Sequence, residues 1–321
     1  MEGELMHLSI REVLQLAERC FYVAGFDQGP ARANAETVWW MEAYRGTGLS
    51  TLHGLLGDLE EFDRSCLSID EDGAEISVVD SGAQPSIVSA NPTVDLSCSL
   101  AEQNGLGIAC TSTAAGDDTL DALGHQAYRA GKRGYVALTL YADEKGSGAI
   151  LGVPEEPYPT VVEKTLDGPS VTQTEITKIV DAGLHQRRQS PLVQSLLTTS
   201  VDEQLAAEEH LLTMLLRSSL EASARSELDV ESGFVTICID PDHPRYAGGA
   251  QNTVEEFLDR REAEFTETFH PSSVGPRVEK LLNNGVEIEE SIWRDIFEYS
   301  SEILAPEFEG SYQGAGFDIN E

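Results

Sequence analysis

Residues 33–62 constrain the fold of this chain most strongly, because two helical patterns meet there at a glycine-broken turn. The first pattern ends at Tyr44 and presents a large apolar face, Trp39, Trp40 and Met41. The second places Leu52, Leu55, Leu56, Leu59 and Phe62 at helical spacing. The turn between them reads Arg45-Gly46-Thr47-Gly48. Two apolar helix faces joined by so short a turn predict a packed helical layer.

Both chain ends carry further helical patterns. Ser9 and Glu12 form a capping-box pattern ahead of an apolar helical run that stops at Gly25. Helices are predicted near 9–24, 30–45, 51–63, 253–267, 277–282 and 291–304. We expect the helices of the two ends to pack together as one helical part, residues 1–65 with 250–321.

Residues 66–249 show shorter apolar runs and predict an α/β sheet domain. The runs 66–69 and 76–79 flank an acidic glycine turn and predict a hairpin. Strands at 106–111 and 135–141 enclose a helix at 119–130, which suggests a crossover unit. A strand at 234–239 and a long helix from residue 200 are also predicted, whereas 154–199 resist assignment. The predicted fold class is α+β, with a helical part from both chain ends and a mixed sheet from the middle.

The charge balance excludes one class of partner. Lys and Arg number 21 against 56 Asp and Glu, for a formal charge of −35 spread along the chain. Such a chain repels itself at low salt, and added salt screens that repulsion, so a halophilic surface is expected ahead of a surface for a basic partner. Nucleic acid is not expected, because phosphate binding needs a basic footprint.

The cysteines and the first residues favour a reducing cytoplasm. The five cysteines lie far apart without a CxxC pair, and Cys20 and Cys110 fall in apolar runs that predict core thiols. The start of the chain lacks a basic and apolar leader pattern, and no window has the roughly 18 apolar residues of a membrane span. The expected location is therefore cytoplasmic, with no membrane partner.

Few residues are candidates for catalysis or ligand binding, and most of them also have a structural interpretation. There is neither a GxGxxG after a strand nor a P-loop. Arg45 can clamp a carboxylate or neutralise its own helix C-terminus. His53 can act as a general acid or base or be structural, and His125 is expected to face solvent or cap a helix. The DPDHP turn at 240–244 is expected to be a solvated loop rather than a cation site, so no metal is predicted.

Residues 35–62 resemble the N-terminal signature of the type-2 malate/L-lactate dehydrogenases, a family that includes ureidoglycolate and sulfolactate dehydrogenases. In that family a helix enters an Arg-Gly turn followed by Ser-His-Gly and a leucine-rich helix. NGLGIACTSTAAGDDTLDALGHQAYRAGKRGYVALTLYAD is similar to the family's central strand–helix–strand, and segments near 235–261 and 270–293 resemble its closing part. The resemblance implies this family's fold, a possible NAD(P) cofactor and a possible homodimer.

The departures from the family pattern fall where its chemistry lies. Without a gap, the family's first histidine falls on Ser50, and its second falls on Thr113 or Ala114 within 112–116. Its Pro-Gly-Glu appears as Pro271-Ser272-Ser273. The chain ends are in addition similar to an uncharacterised family that closes on a Gly-Ala-Gly tail, which implies no activity.

Three functional hypotheses follow from this comparison. The first is a dehydrogenase-like protein, degenerate in catalysis, that binds a small carboxylate or a partner; its expected ligand-binding residues are Arg45, Ser50, Ser112 and Gly116. The second is an active NAD(P)-dependent 2-hydroxyacid oxidoreductase with Arg45 and His53 as catalytic candidates. The third is a non-catalytic accessory or structural subunit.

Overall fold

The computed structural model describes residues 5–62, 67–70, 76–81, 84–113, 119–142, 146–165, 233–243, 267–269 and 271–302. Its helices are α1 (Ile10–Val23), α2 (Gln28–Arg45), α3 (Gly48–Leu55), α4 (Ser86–Asn104), α5 (Leu123–Lys132), α6 (Pro271–Asn284) and α7 (Glu290–Ser301). Its strands are β1 (Leu5–Leu8), β2 (Ser68–Asp70), β3 (Ile76–Asp80), β4 (Leu106–Ser112), β5 (Val136–Ala142), β6 (Gly146–Gly152), β7 (Thr160–Thr165), β8 (Gly233–Ile239), β9 (Glu267–Phe269) and β10 (Val286–Glu289). Two 3₁₀ turns lie at Leu59–Glu61 and Leu120–Ala122.

Eight strands form one mixed sheet in the order β2-β3-β4-β8-β5-β6-β7-β9. Only β3 and β4 are parallel neighbours among these strands, and the other neighbours are antiparallel. The predicted hairpin is confirmed as β2 and β3. Helices combined with this mixed sheet confirm the predicted α+β class.

The connection from β4 to β5 passes over an intervening strand. β4 and β5 are both antiparallel to β8, which lies between them, so they run in the same direction without touching. The predicted strand–helix–strand crossover is therefore present, with α5 as its helix. A tighter crossover, which the sequence patterns did not reveal, joins the adjacent strands β3 and β4 through α4.

Helices from the two chain ends pack together, as predicted. α1 contacts α7, α2 contacts α6, and α3 contacts α7. β1 and β10 reinforce this layer as a two-stranded antiparallel sheet. The largest hydrophobic core joins this layer to the eight-stranded sheet and includes Phe21, Met41, Leu52, Leu123 and Phe234.

Several boundaries differ from the predicted ones. The third helix, predicted for 51–63, covers only Gly48–Leu55, and a 3₁₀ turn follows it. β9 falls inside the predicted helical segment 250–321 but pairs with β7 of the large sheet. The long helix predicted from residue 200, and most of the helix predicted for 253–267, lie outside the described residues. The division of the chain into two domains stays a prediction.

No helix in the described part of the chain combines the length and apolarity required to cross a bilayer.

Candidate functional site

The Arg45–Gly48 turn has a conformation that its glycines make possible. Gly46 ends α2 in the left-handed region, with φ 77°, and its N–H bonds to the Glu42 carbonyl oxygen at 2.9 Å. Gly48 begins α3 directly against α2, where a Cβ would overlap the carbonyl oxygen of Val38. The two helices can therefore approach closely only with glycine at these positions.

A buried carboxylate anchors the same turn from the inside. Glu42 is 8 % exposed, and its Oε2 accepts the Leu49 N–H at 3.0 Å, with the Gly48 N–H as a second donor. Burial raises the pKa of Glu42, while these N–H groups and the nearby Arg277 of α6 oppose that rise. A carboxylate at the start of α3 also interacts favourably with the positive end of the helix.

Arg45 and Thr47 both bind Asp121, in the 3₁₀ turn before α5. Arg45 Nε lies 3.2 Å from Asp121 Oδ1, and Thr47 Oγ1 donates to Asp121 Oδ2 at 3.1 Å. Arg45 is 20 % exposed and Asp121 is 25 % exposed. The guanidinium thus reaches away from its own helix end and meets a carboxylate of this chain.

The segment around Asp121 reaches the start of α4. Thr119 Oγ1 lies 2.9 Å from Ser86 Oγ and accepts the Ile87 N–H at 3.0 Å. Thr119, which binds the first turn of α4, is two residues before Asp121, which binds Arg45. The turn after α2 and the N-terminus of α4 consequently belong to one region.

The carboxyl ends of β3 and β4 meet at this N-terminus. Val79 pairs with Thr111, so the parallel register brings Ser81 opposite Thr113 just beyond the strands. Gln84 follows in the short turn that leads into α4, and its N–H bonds to the Ser81 carbonyl oxygen at 3.2 Å. In open sheets, the crevice beyond the carboxyl ends of parallel strands is a common place for a ligand.

Three polar side-chain atoms at this edge have no hydrogen-bond partner within the described structure. They are Ser81 Oγ, Gln84 Oε1 and Thr113 Oγ1, on residues that are 0 %, 9 % and 4 % exposed. A buried polar atom without a partner costs on the order of 1–3 kcal/mol. A polar molecule that reached these atoms could supply the missing hydrogen bonds.

The structure describes three of the other predicted site residues, and they lie on different elements. Ser50 lies on α3, and its Oγ donates to the Thr47 carbonyl oxygen at 2.9 Å. His53 lies further along α3, where its Nε2 is 2.8 Å from Asp295 Oδ2 of α7. Ser112 is the last residue of β4, next to Thr113, and Gly116 lies outside the described residues.

The expectation for His125 was wrong. This residue of α5 is 4 % exposed, and its Nδ1 lies 2.8 Å from Thr37 Oγ1 of α2. Burial, followed by the positive charge of Arg129, lowers its pKa to about 3. His125 is therefore a neutral core residue near pH 7, because the helix face that carries it packs against α2 instead of facing water.

The described part of the DPDHP turn, residues 240–243, is held by a local hydrogen bond. Asp240 Oδ1 accepts the Asp242 N–H at 2.9 Å, which is a local turn bond. Among the described residues, no group of three or more His, Cys, Asp or Glu side chains is placed to hold a metal ion.

Several solved structures similar to this chain are dehydrogenases. A dehydrogenase from Sinorhizobium meliloti aligns with a TM-score of 0.57 and 15% identity over 92% of this chain and 100% of that protein. Malate dehydrogenase from Pyrococcus horikoshii aligns with a TM-score of 0.57 and 13% identity, over 96% and 99%. Sulfolactate dehydrogenase from Methanocaldococcus jannaschii aligns with a TM-score of 0.56 and 16% identity, over 93% and 97%. This chain has a malate/lactate dehydrogenase-like fold.

The structural likeness supports the resemblance seen in the sequence, and at these identities it concerns the fold alone. Neither a protein-family model nor a curated protein sequence matches the chain.

The sequence patterns missed several residues of this region. Ser81 and Gln84 follow a strand and precede Pro85, which is the available signal for a strand-to-helix junction. Asp121 has a weaker signal, as an acidic residue near the start of a predicted helix. The packing of α2 against α4 and α5 brings these segments into one region, and local patterns do not reveal that packing.

Proposed function

We propose that this protein binds a small carboxylate, of the 2-hydroxy or 2-keto acid class, at the carboxyl edge of β3 and β4 without hydride transfer. The observation that carries the proposal is the set of buried, unpartnered polar atoms of Ser81, Gln84 and Thr113. Hydroxyl and amide groups suit a small acid with a neighbouring hydroxyl or keto oxygen.

Arg45 supplies the charge that such a ligand requires. An arginine has five N–H donors in a planar fork, enough to hold Asp121 and a ligand carboxylate together. Thr47 and Asp121 fix the position of the guanidinium beside the segment that leads to α4. Ser50, Ser112 and Gly116 complete the proposed ligand-binding set, as the family resemblance implies.

In the proposed function, this edge of the sheet provides no acid or base to the bound ligand. His53 lies against Asp295 of α7, and His125 is buried against Thr37. The unpartnered polar atoms of this edge belong to hydroxyls and an amide, which do not titrate near pH 7, and the nearby carboxylate of Asp121 is bound by Arg45 and Thr47. Loss of an acid or base group costs on the order of 10²–10⁴ in rate. Binding without turnover is therefore favoured.

NAD(P) is the cofactor that the fold implies, and the hydroxyl and amide groups described at this edge do not form a pyrophosphate cradle. The sequence has no GxGxxG after a strand. The polar groups at the edge suit a carboxylate or a carboxamide better than a pyrophosphate, which needs cations or a glycine-rich cradle. The active oxidoreductase with Arg45 and His53 is thus the second candidate function.

Calorimetric titration in molar KCl tests the binding proposal. Lactate, malate and pyruvate are the probes, and weak binding by at least one of them is expected. Arg45→Ala should weaken that binding by at least about tenfold, because hydrogen bonds to charged groups contribute about 1.5–3 kcal/mol. Arg32→Ala is the matched control, since Arg32 is an exposed residue of the same helix that pairs with Glu36.

NADH oxidation measured with pyruvate, together with NAD+ reduction measured with lactate and malate, separates the alternatives. Absence of turnover with retained binding supports the proposal. Rapid NADH-linked turnover would favour the oxidoreductase, and absence of binding to every probe would favour an accessory subunit.

A further inference from the structure

Two buried cysteines face each other at the opposite end of β4. Cys98 of α4 and Cys238 of β8 have their Sγ atoms 3.7 Å apart, and the residues are 4 % and 0 % exposed. They are separated by 140 positions in the sequence, so only the tertiary fold brings them together. Ser97 Oγ donates to the Thr236 carbonyl oxygen at 3.1 Å and fixes α4 on β8 beside the pair.

In the part of the chain that the structure describes, the pair lies in a small apolar core against which Tyr135 packs. The two cysteines pack with the small apolar residues Val94, Ala101, Ala130 and Ala137. Cys238 pairs with Gly107 at the start of β4, whereas Ser112 ends that strand. The five-residue separation places the pair roughly 17 Å from the carboxyl edge, at 3.3–3.4 Å per residue.

Arg133 gives the two thiols different characters. Its side chain hydrogen-bonds to Cys98 and also binds Asp95, with Nη1 2.6 Å from Asp95 Oδ1. The hydrogen bond from Cys238 and the cation of Arg133 lower the pKa of Cys98 against the effect of burial. The pKa of Cys238 is raised by the same hydrogen bond and by its complete burial. Arg133 is 39 % exposed, so its side chain extends from the buried pair to the protein surface.

We propose that Cys98 and Cys238 form a reversible dithiol–disulfide site, oxidised by a hydroperoxide such as H₂O₂. The Cys98 thiolate attacks a peroxide oxygen and the O–O bond breaks, which gives Cys98 sulfenic acid and, with one proton, water. Cys238 sulfur then attacks the Cys98 sulfur, the S–O bond breaks, and the Cys238 proton leaves with the hydroxide as a second water. Two thiols lose two electrons and the peroxide gains them.

The geometry requires little movement for the second step. From a separation of 3.7 Å, each sulfur has to move by about 0.8 Å to reach a disulfide length of about 2.05 Å.

Peroxide treatment of the folded protein, followed by denaturation, thiol alkylation and mass spectrometry, tests the site. A variant with Cys20→Ala, Cys66→Ala and Cys110→Ala keeps only the two thiols in question. The expected product is a linked Cys98–Cys238 peptide that dithiothreitol splits. Formation of sulfinic acid without this link, or a link that appears only in urea, would overturn the proposal.

Single variants identify which sulfur reacts first. With Cys238→Ser, dimedone should label Cys98, whereas with Cys98→Ser it should leave Cys238 unlabelled. Arg133→Gln should slow oxidation by about tenfold, because the thiolate is the reactive form. Arg129→Gln is the matched control, since Arg129 also binds Asp95, at 3.8 Å. Equal rates for the two arginine variants, or labelling of Cys238, would contradict the assigned roles.

Discussion

The buried His125–Thr37 pair shows how one side chain links α5 to α2. Thr37 Oγ1 donates to the Ala33 carbonyl oxygen at 3.0 Å, so its lone pairs are available to the imidazole. His125 Nδ1 therefore carries the hydrogen and donates it to Thr37. The ring also stacks near Tyr128, at 6.1 Å between ring centroids. A protonated imidazole would be desolvated here, which is why its pKa is low.

This pair predicts a pH dependence of stability. Burial lowers the pKa of His125 from 6.5 to about 3, so below pH 6.5 the unfolded chain binds a proton that the folded chain does not. Stability should consequently fall between pH 6.5 and 3, with this residue contributing up to about 1.4 kcal/mol per pH unit.

Urea denaturation of His125→Gln at pH 7 and pH 5 measures this contribution. The variant should lose less stability than the wild type over that interval. His7→Gln, at an exposed position of β1, is the matched control and should follow the wild type. A His125→Gln slope equal to the wild-type slope would disprove the assignment.

At the scale of the element, α4 shows what sequence patterns can and cannot provide. The capping box of α1 and the hairpin β2–β3 were predictable because their signals are local. α4 was not, although it has 19 residues, because it is buried on most of its surface and carries Pro92. A helix buried on several sides has no single apolar stripe. The candidate site could not be predicted from the sequence for the same reason, because its position depends on where α4 begins.

The contact of α4 with β4 depends on Gly107. A Cβ at this position would overlap the Ser97 carbonyl oxygen and approach the Ala101 nitrogen to 2.8 Å. Gly107→Ala should therefore lower the free energy of unfolding by about 1–3 kcal/mol or more, as overpacking does.

Gly54→Ala is a control that should change the free energy of unfolding in the opposite direction. Gly54 lies in α3 with open space around its Cα, so alanine there should stabilise the protein by about 0.5–1 kcal/mol. Urea midpoints of the two variants check the pair. A Gly107→Ala protein as stable as the wild type would contradict the close packing of α4.

At the scale of the whole molecule, the net charge of −35 dominates the behaviour expected in solution. Acidic side chains such as Glu60, Glu61, Glu155 and Glu156 are exposed, where water and salt screen them. Folding brings such charges closer together than they are in the unfolded chain. Their repulsion therefore opposes the compact state at low ionic strength.

The melting temperature should rise steeply between low and molar KCl. A variant with glutamine at positions 60, 61, 155 and 156 should show a weaker dependence, because four of the repelling charges are removed. Differential scanning fluorimetry across a KCl series measures both proteins. A wild-type melting temperature that stays flat over this range would mean that charge repulsion does not limit its stability.

The strand order also dictates when the sheet can close during synthesis. β8 separates β4 from β5, and it is made about 90 residues after β5 ends. At a translation rate of roughly 5–20 residues per second, β4 and β5 remain without β8, the strand between them, for several seconds during synthesis. Unpaired strand edges are templates for association with other chains. The nascent chain is therefore most exposed to misassembly in the interval between the synthesis of β5 and that of β8.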